Sequence, residues 1–144
     1  MFLTNNGRGI HSHYTGDYNR YYGMLYPSSI TLLSNPGTND NIFNFLEYRS
    51  ECYKGTTEHP NITFNTIRAY NEYQDSTTKN LVINKNIFRK FRNWRITVPR
   101  DSSLKLDRIR GPWSFFTLSY TPDDNQKFIC HNISMYLEDA SIKQ

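Results

Sequence analysis

Alanine is nearly missing from this sequence. Only Ala69 and Ala140 occur in 144 residues. Helix-rich chains favour Ala, Leu, Glu and Lys, so a chain with so little alanine is poorly suited to helices. Cysteine is scarce too. Cys52 and Cys130 are too few for a disulfide framework and read as two free, mostly buried thiols of a protein made in a reducing cytoplasm. No apolar run approaches the about 20 residues that span a bilayer, so no membrane anchor is expected. The opening MFLTNNGRG lacks a basic stretch followed by an apolar one, so it does not read as a signal peptide. On that basis Asn61-Ile-Thr63 and Asn132-Ile-Ser134, which match the glycosylation triplet, are chance matches in an Asn-rich chain.

Catalytic motifs are equally absent. There is no G-x-S-x-G, no phosphate-cradling glycine loop and no H-E-x-x-H. Cys130 and His131 are adjacent, so on a strand they point to opposite faces and cannot act together as nucleophile and base. Glu72 and Asp75 are three apart in the polar run NEYQDS. Such a carboxylate pair could serve a glycosidase, but it more often closes a turn, with Asp75 and Ser76 bonding the local backbone and Glu72 reaching an arginine. His11 and His13 with Asp17 fall short of the about four ligands of a structural metal. The expectation is a protein that is not an enzyme and holds no cofactor or metal.

What the chain does have is aromatic surface, 15% of its residues, with eleven Tyr and nine Phe beside 16 Asn. Large rings and β-branched residues favour strands. Residues 1–29 form a separate region, with Gly7, Gly9, Gly16, Gly23 and Pro27 between Tyr14, Tyr18, Tyr21, Tyr22 and Tyr26, and with no period of 2 or 3.6. This reads as an extended arm that orders on another surface, where tyrosine gives large contact area with a polar tip.

Period-2 strands follow. SITLLS (29–34) stops at Asn35-Pro36-Gly37. In 41–54, Leu46, Tyr48 and Cys52 alternate with Glu47, Arg49 and Glu51. In 61–73, Ile62, Phe64 and Tyr70 share one face while Ile67, Ala69 and Tyr73 share the other, the mark of an internal strand. KNLVINKN (79–86) reads as a short strand or approach loop. Phe88 and Phe91 have helical spacing and read as plugs where the next strand begins. Trp94, Ile96 and Val98 then face the core, opposite Arg95, and Pro99 ends that ladder. Trp113 and Phe115 alternate with Phe116, Leu118 and Tyr120. The turn TPDDNQ and the returning strand KFICHNISMYLED, with Ile129, Ile133, Met135 and Leu137 aligned, suggest a terminal hairpin. The expected architecture is all-β: an antiparallel sandwich of about six or seven strands over 30–144, preceded by the arm. Its expected core includes Phe64, Tyr70, Trp94, Ile96, Val98, Trp113, Phe116 and Leu118.

Charge is concentrated. Residues 85–110 hold nine of the 17 basic side chains and only Asp101 and Asp107, a segment charge of +7 against −3 for the rest. Within it, FRKFRNWRITVPRD packs five cations and three aromatics into fourteen positions. Single-stranded nucleic acid would need aromatics bared among the cations on one face. In the strand the two types separate, so nucleic acid is not expected. The arginines, Arg89, Arg92, Arg95, Arg100, Arg108 and Arg110, read instead as groups that contact loop carboxylates and neighbouring proteins. A binding module for a host-surface glycan or DNA is the rival reading.

Four motifs in order carry a resemblance: NPGTNDNIFNFLEYRSECY, FNTIRAYNEYQDS, NIFRKFRNWRITVPRD and DRIRGPWSFFTLSY. Together, over roughly residues 30–137, they resemble the C-terminal region of the muzzle proteins, or stabilization proteins, of crAss-like bacteriophage tails, which are many times longer. The resemblance implies a non-enzymatic structural component of the virion tail, made in the bacterial cytoplasm. It implies contacts with other tail proteins and with copies of itself in a homo-oligomeric ring. It gives Arg89, Arg92, Trp94, Arg95, Arg100, Asp101, Arg108, Arg110, Pro112 and Trp113 the task of building the domain and its contacts.

Overall fold

A computed structural model describes residues 3–5, 10–12, 17–21, 24–37, 40–103, 105–123 and 125–140. Every described element is a strand: β1 (Leu3–Asn5), β2 (Ile10–Ser12), β3 (Arg20–Tyr21), β4 (Met24–Leu25), β5 (Ser28–Ser34), β6 (Asn41–Lys54), β7 (Thr57–Glu58), β8 (Thr66–Tyr70), β9 (Lys79–Asn80), β10 (Ile87–Lys90), β11 (Asn93–Thr97), β12 (Arg110–Gly111), β13 (Ser114–Tyr120) and β14 (Gln126–Asp139). Seven of them have four or more residues, which matches the expected number once the two- and three-residue ladders are set aside.

Two sheets hold the core. In the first, β6 is central. Its whole length pairs with β14, and its other edge is shared by β12, β11 and β7, with β10 outside β11. The second runs β5-β13-β8-β9. Every ladder between these strands is antiparallel. The alternation read in the sequence decides what lies between the sheets. Phe43, Leu46, Tyr48, Ile87, Trp94 and Ile96 from the first sheet meet Ile67, Ala69, Phe116, Leu118 and Tyr120 from the second in one buried cluster. Phe43 and Phe116 meet edge to face across the gap at 5.6 Å, and Tyr120 stacks on Phe128 at 4.4 Å. Burial of these large rings is the main stabilising term.

Of the expected core, Phe64, Trp94, Ile96, Val98, Phe116 and Leu118 are buried. Tyr70 and Trp113 are half-buried on the outer face of the second sheet instead. The reason lies in residues 60–70. Phe64 precedes β8 and faces the core from a loop, so the period-2 count from Phe64 to Tyr70 crosses a break and assigns Tyr70 to the wrong face. In β8 itself Ile67 and Ala69 face inward.

Two further expectations change. The strands β13 and β14 do not form a hairpin: β13 pairs with β5 and β8, and β14 with β6, so the TPDDNQ turn carries the chain from one sheet to the other. And residues 88–91 are not a helical turn. They belong to a hairpin, β10 to β11, with Phe88 opposite Arg95 and Lys90 opposite Asn93. Its two-residue loop is Phe91-Arg92, at φ 51° and 68°. Both central residues lie in the left-handed region, a type I′ turn that ordinarily takes Asn-Gly. Phe91 is 87% exposed, so it gains no burial to offset that backbone strain. Phe91→Asn with Arg92→Gly should therefore raise stability by about 1 kcal/mol and the thermal midpoint by about 3 °C. A calorimetric midpoint at or below that of the parent chain would contradict this account of the turn.

Candidate functional site

The arginines of the basic segment are largely committed within the chain. Arg95, on the outer face of β11, pairs with Glu47 at 3.0 Å and lies 4.2 Å over the Phe45 ring, which itself stacks on Tyr136 at 4.6 Å. Arg89 donates to the Pro60 carbonyl at 2.7 Å and lies 5.6 Å from the Trp94 ring. Arg100 donates to the Leu106 carbonyl at 3.1 Å. Arg108 reaches Glu138 at 3.8 Å and the Asn44 side-chain oxygen at 3.4 Å. Arg110 holds Asp40 through Nε and a terminal nitrogen at 3.0 and 2.9 Å. Arg92 is exposed in the β10–β11 loop. These half-exposed pairs each contribute little to stability. Their effect is geometric: they fix loops 98–110 and 60–65 against the strands.

The hairpin presents something the sequence reading did not expect. Trp94 and Arg95 do separate to opposite faces, as read. Phe88, however, is 42% exposed and faces the same side as Arg95, its cross-strand partner. Phe88 and Phe91 are therefore surface residues, not plugs. With Lys90, Arg95, Asn93 and Glu47 they line a groove of about 490 Å³, and Lys90 lies 5.6 Å from the Phe91 ring. Aromatics and cations thus share one face, through a pairing that no single-strand pattern reveals.

A second, half-buried cluster lies on the outer face of β8 and β13. Phe115 stacks on Tyr70 at 5.4 Å and meets Trp113 at 5.4 Å. Arg68 covers Tyr70 at 4.4 Å and grips Asp75 through two hydrogen bonds of 3.0 and 2.6 Å. The Arg68 hydrogen bond is the main reason the Asp75 carboxyl is held below its ordinary range. In the NEYQDS turn the arginine partner is thus Asp75 rather than Glu72. Ser76 closes the turn as expected, accepting from the Ala69 N–H at 2.9 Å. Arg68 lies outside the basic segment, and only its position two residues before Tyr70 on a strand could have indicated this contact.

Of the arm tyrosines, Tyr18, Tyr21 and Tyr26 are exposed; Tyr14 and Tyr22 lie outside the described residues. Tyr21 and Tyr26 meet at 6.1 Å beside the β3–β4 ladder. The arm is tied to the body at the sheet crossover: the Tyr18 N–H donates to Asn125 at 3.3 Å, and the Asn19 amide donates to the Gln126 carbonyl. Strand β5 begins at Ser28, one residue before the SITLLS stretch (29–34) read as a strand.

Among the described residues, Cys130 and His131 do not come together as a nucleophile and base. Cys130 and His131 take opposite faces of β14, as their registers with Ser50 and Arg49 show. His131 lies 4.0 Å from Glu51, whose carboxyl is held low mainly by Arg49. Cys52 is buried, while Cys130 is exposed, contrary to the expectation of two buried thiols. Among the described residues no three His, Cys, Asp or Glu side chains converge as metal ligands. The His13 position and the His11 side chain lie outside them.

Two comparisons with known proteins agree. The crassvirus muzzle protein C-terminal domain matches residues 16–101. The muzzle protein of Bacteroides phage crAss001 is 35% identical over 123 residues. That match covers 83% of this chain but 9% of the phage protein, so the chain spans less than a tenth of its relative.

Proposed function

This chain belongs to the crassvirus muzzle protein C-terminal domain family, and from that premise we propose that it is a structural, non-enzymatic component of a phage virion. Its place is the tail-end assembly, where it packs through protein–protein contacts against other tail proteins and against copies of itself in a ring. The observation that carries the reading is the 35% identity to a muzzle protein over most of the chain. The surface supports it. Arginines tie loops down, Phe88 and Phe91 are exposed on one face, a half-buried aromatic cluster lies on another, and the described arm residues carry exposed Tyr18, Tyr21 and Tyr26. Interfaces are enriched in such aromatic and arginine surface. Antibodies raised against the 144-residue chain should label purified particles at the tail end in immunoelectron microscopy. Label on the capsid, or on no part of the particle, would overturn the proposal.

One observation favours a second reading, a nucleic-acid contact at the β10–β11 hairpin. Phe88 and Phe91 stand bared beside Lys90 and Arg95, the arrangement that single-stranded nucleic acid requires. In that case a single-stranded oligonucleotide binds with a steep salt dependence, and Phe91→Ala with Arg92→Ala weakens it at least tenfold. Fluorescence anisotropy that stays flat at low salt would remove this reading.

A further inference from the structure

Strand β5 is an edge without the usual protection. Its inner edge pairs with β13 along all seven residues, from Ser28 opposite Tyr120 to Ser34 opposite Ser114. Among the described residues its outer edge carries no strand, which leaves a row of backbone N–H and C=O groups aimed outward. Folded proteins normally blunt such an edge with lysine, an internal proline, a bulge or a short strand. The segment SSITLLS has none of these. It holds no charge, its ladder with β13 is continuous, and Pro27 and Pro36 lie outside it. Two large apolar side chains are bared along it, Ile30 at 42% and Leu33 at 55% exposure.

We infer that β5 pairs antiparallel with β5 of a second copy of this chain, about a two-fold axis at Thr31. The sequence of the strand selects this occupant. An antiparallel pairing centred on Thr31 overlaps all seven residues. It sets Ile30 opposite the other copy's Leu32 on the core-facing side, with Ser29 opposite Leu33 on the outer side, Ser28 opposite Ser34, and Thr31 opposite itself. Apolar thus meets apolar where the sheet is covered. No like charges oppose each other, although each copy carries a net +4. A slip of one residue would turn Ile30 toward the outer face of its partner and lose that match. The product is a continuous sheet, β9-β8-β13-β5 joined to its symmetry mate, with both β5 edges closed.

A strand pair alone buries less than the about 1,200 Å² of a stable interface, so association of the free chain is weak, in the range of about 10 µM to 1 mM. The contact is separate from the ring proposed above and rests on that reading only for several copies gathered in one particle. Being isologous, it joins two copies and stops, and a ring would need a separate head-to-tail surface.

The test is a charge swap at the axis. Thr31 is exposed and its side chain meets Thr117 on the outer face at 2.9 Å, so it tolerates a long side chain. Analytical ultracentrifugation of the wild-type chain over that concentration range should show a monomer–dimer equilibrium. T31K alone and T31E alone should each remain monomeric, because identical charges then face each other across the axis. An equimolar mixture of the two should dimerise. L33D, at the same edge but without the Thr117 contact, should weaken the wild-type dimer at least tenfold. A wild-type chain that stays monomeric, a T31K chain that dimerises normally, or a mixture that stays monomeric would each overturn the pairing. None of these outcomes alters the particle labelling above, so the two proposals fail separately.

Discussion

Replacing Trp94 by alanine is expected to cost about 3–5 kcal/mol, which is a fifth or more of the about 5–15 kcal/mol that holds a domain of this size together. Trp94 is fully buried in β11, between β10 and β6, and touches both the inter-sheet core and the edge where Arg89 covers its ring. Truncation removes the largest buried side chain of the molecule and leaves a void that neighbouring strands, held on both sides, cannot close. Trp94→Phe provides the contrast. It keeps a ring in the cavity and deletes an indole N–H that finds no acceptor among the described residues. An unpaired buried donor costs about 1–3 kcal/mol, so its removal offsets much of the lost packing. The phenylalanine variant should therefore lie within about 1.5 kcal/mol of the parent. Urea unfolding with an unchanged slope measures both. If phenylalanine proves as costly as alanine, the orphaned N–H is not a real liability. If alanine costs less than about 1 kcal/mol, Trp94 is not the centre of the core.

The face of β11 was legible because a strand buried on one side records its own burial: Trp94, Ile96 and Val98 alternate with Arg95 and Thr97, and no partner strand has to be known. The same holds for Leu46, Tyr48 and Cys52 in β6. Pairing was not legible. The turn between β13 and β14 announces a change of direction, and a change of direction within one sheet looks the same in sequence as a step between two sheets. Only the partners distinguish them: β6 for β14, and β5 with β8 for β13. The surface groove was hidden for the same reason. Phe88 and Arg95 are seven residues apart and become neighbours through a loop whose sequence, Phe-Arg, lacks the usual turn residues. The family resemblance was legible from motif order, and it extends on the N-terminal side to residue 16, into the region read as a separate arm.

Alkali should unfold this protein more sharply than its composition alone suggests. Two tyrosine hydroxyls are buried in hydrogen-bonded positions. The Tyr48 hydroxyl meets Thr63, which also contacts Ser50 at 3.1 Å. The Tyr120 hydroxyl donates to Gln126 at 2.6 Å. Burial above all pushes both hydroxyls well above the ordinary tyrosine value of 10.0, with Cys52 adding to the effect at Tyr120. The folded state therefore holds these protons more tightly than the unfolded chain does. Their contribution is fully present below about pH 10 and is lost as pH rises through the interval between the unfolded and folded values. Each tyrosine removes about 1.4 kcal/mol per pH unit there, and the two together about 2.7. Between pH 10 and 12 the loss approaches about 5 kcal/mol, enough to unfold a domain of ordinary stability. Tyrosinate absorbance should accordingly show the exposed tyrosines titrating first, and a late, cooperative step that coincides with loss of the β-sheet circular dichroism. Tyr48→Phe, which leaves Thr63 its Ser50 contact, should halve the slope of stability against pH in this range. A late step that persists in full in the Tyr48→Phe, Tyr120→Phe double variant would show that other groups, and not these two hydroxyls, bring the domain down.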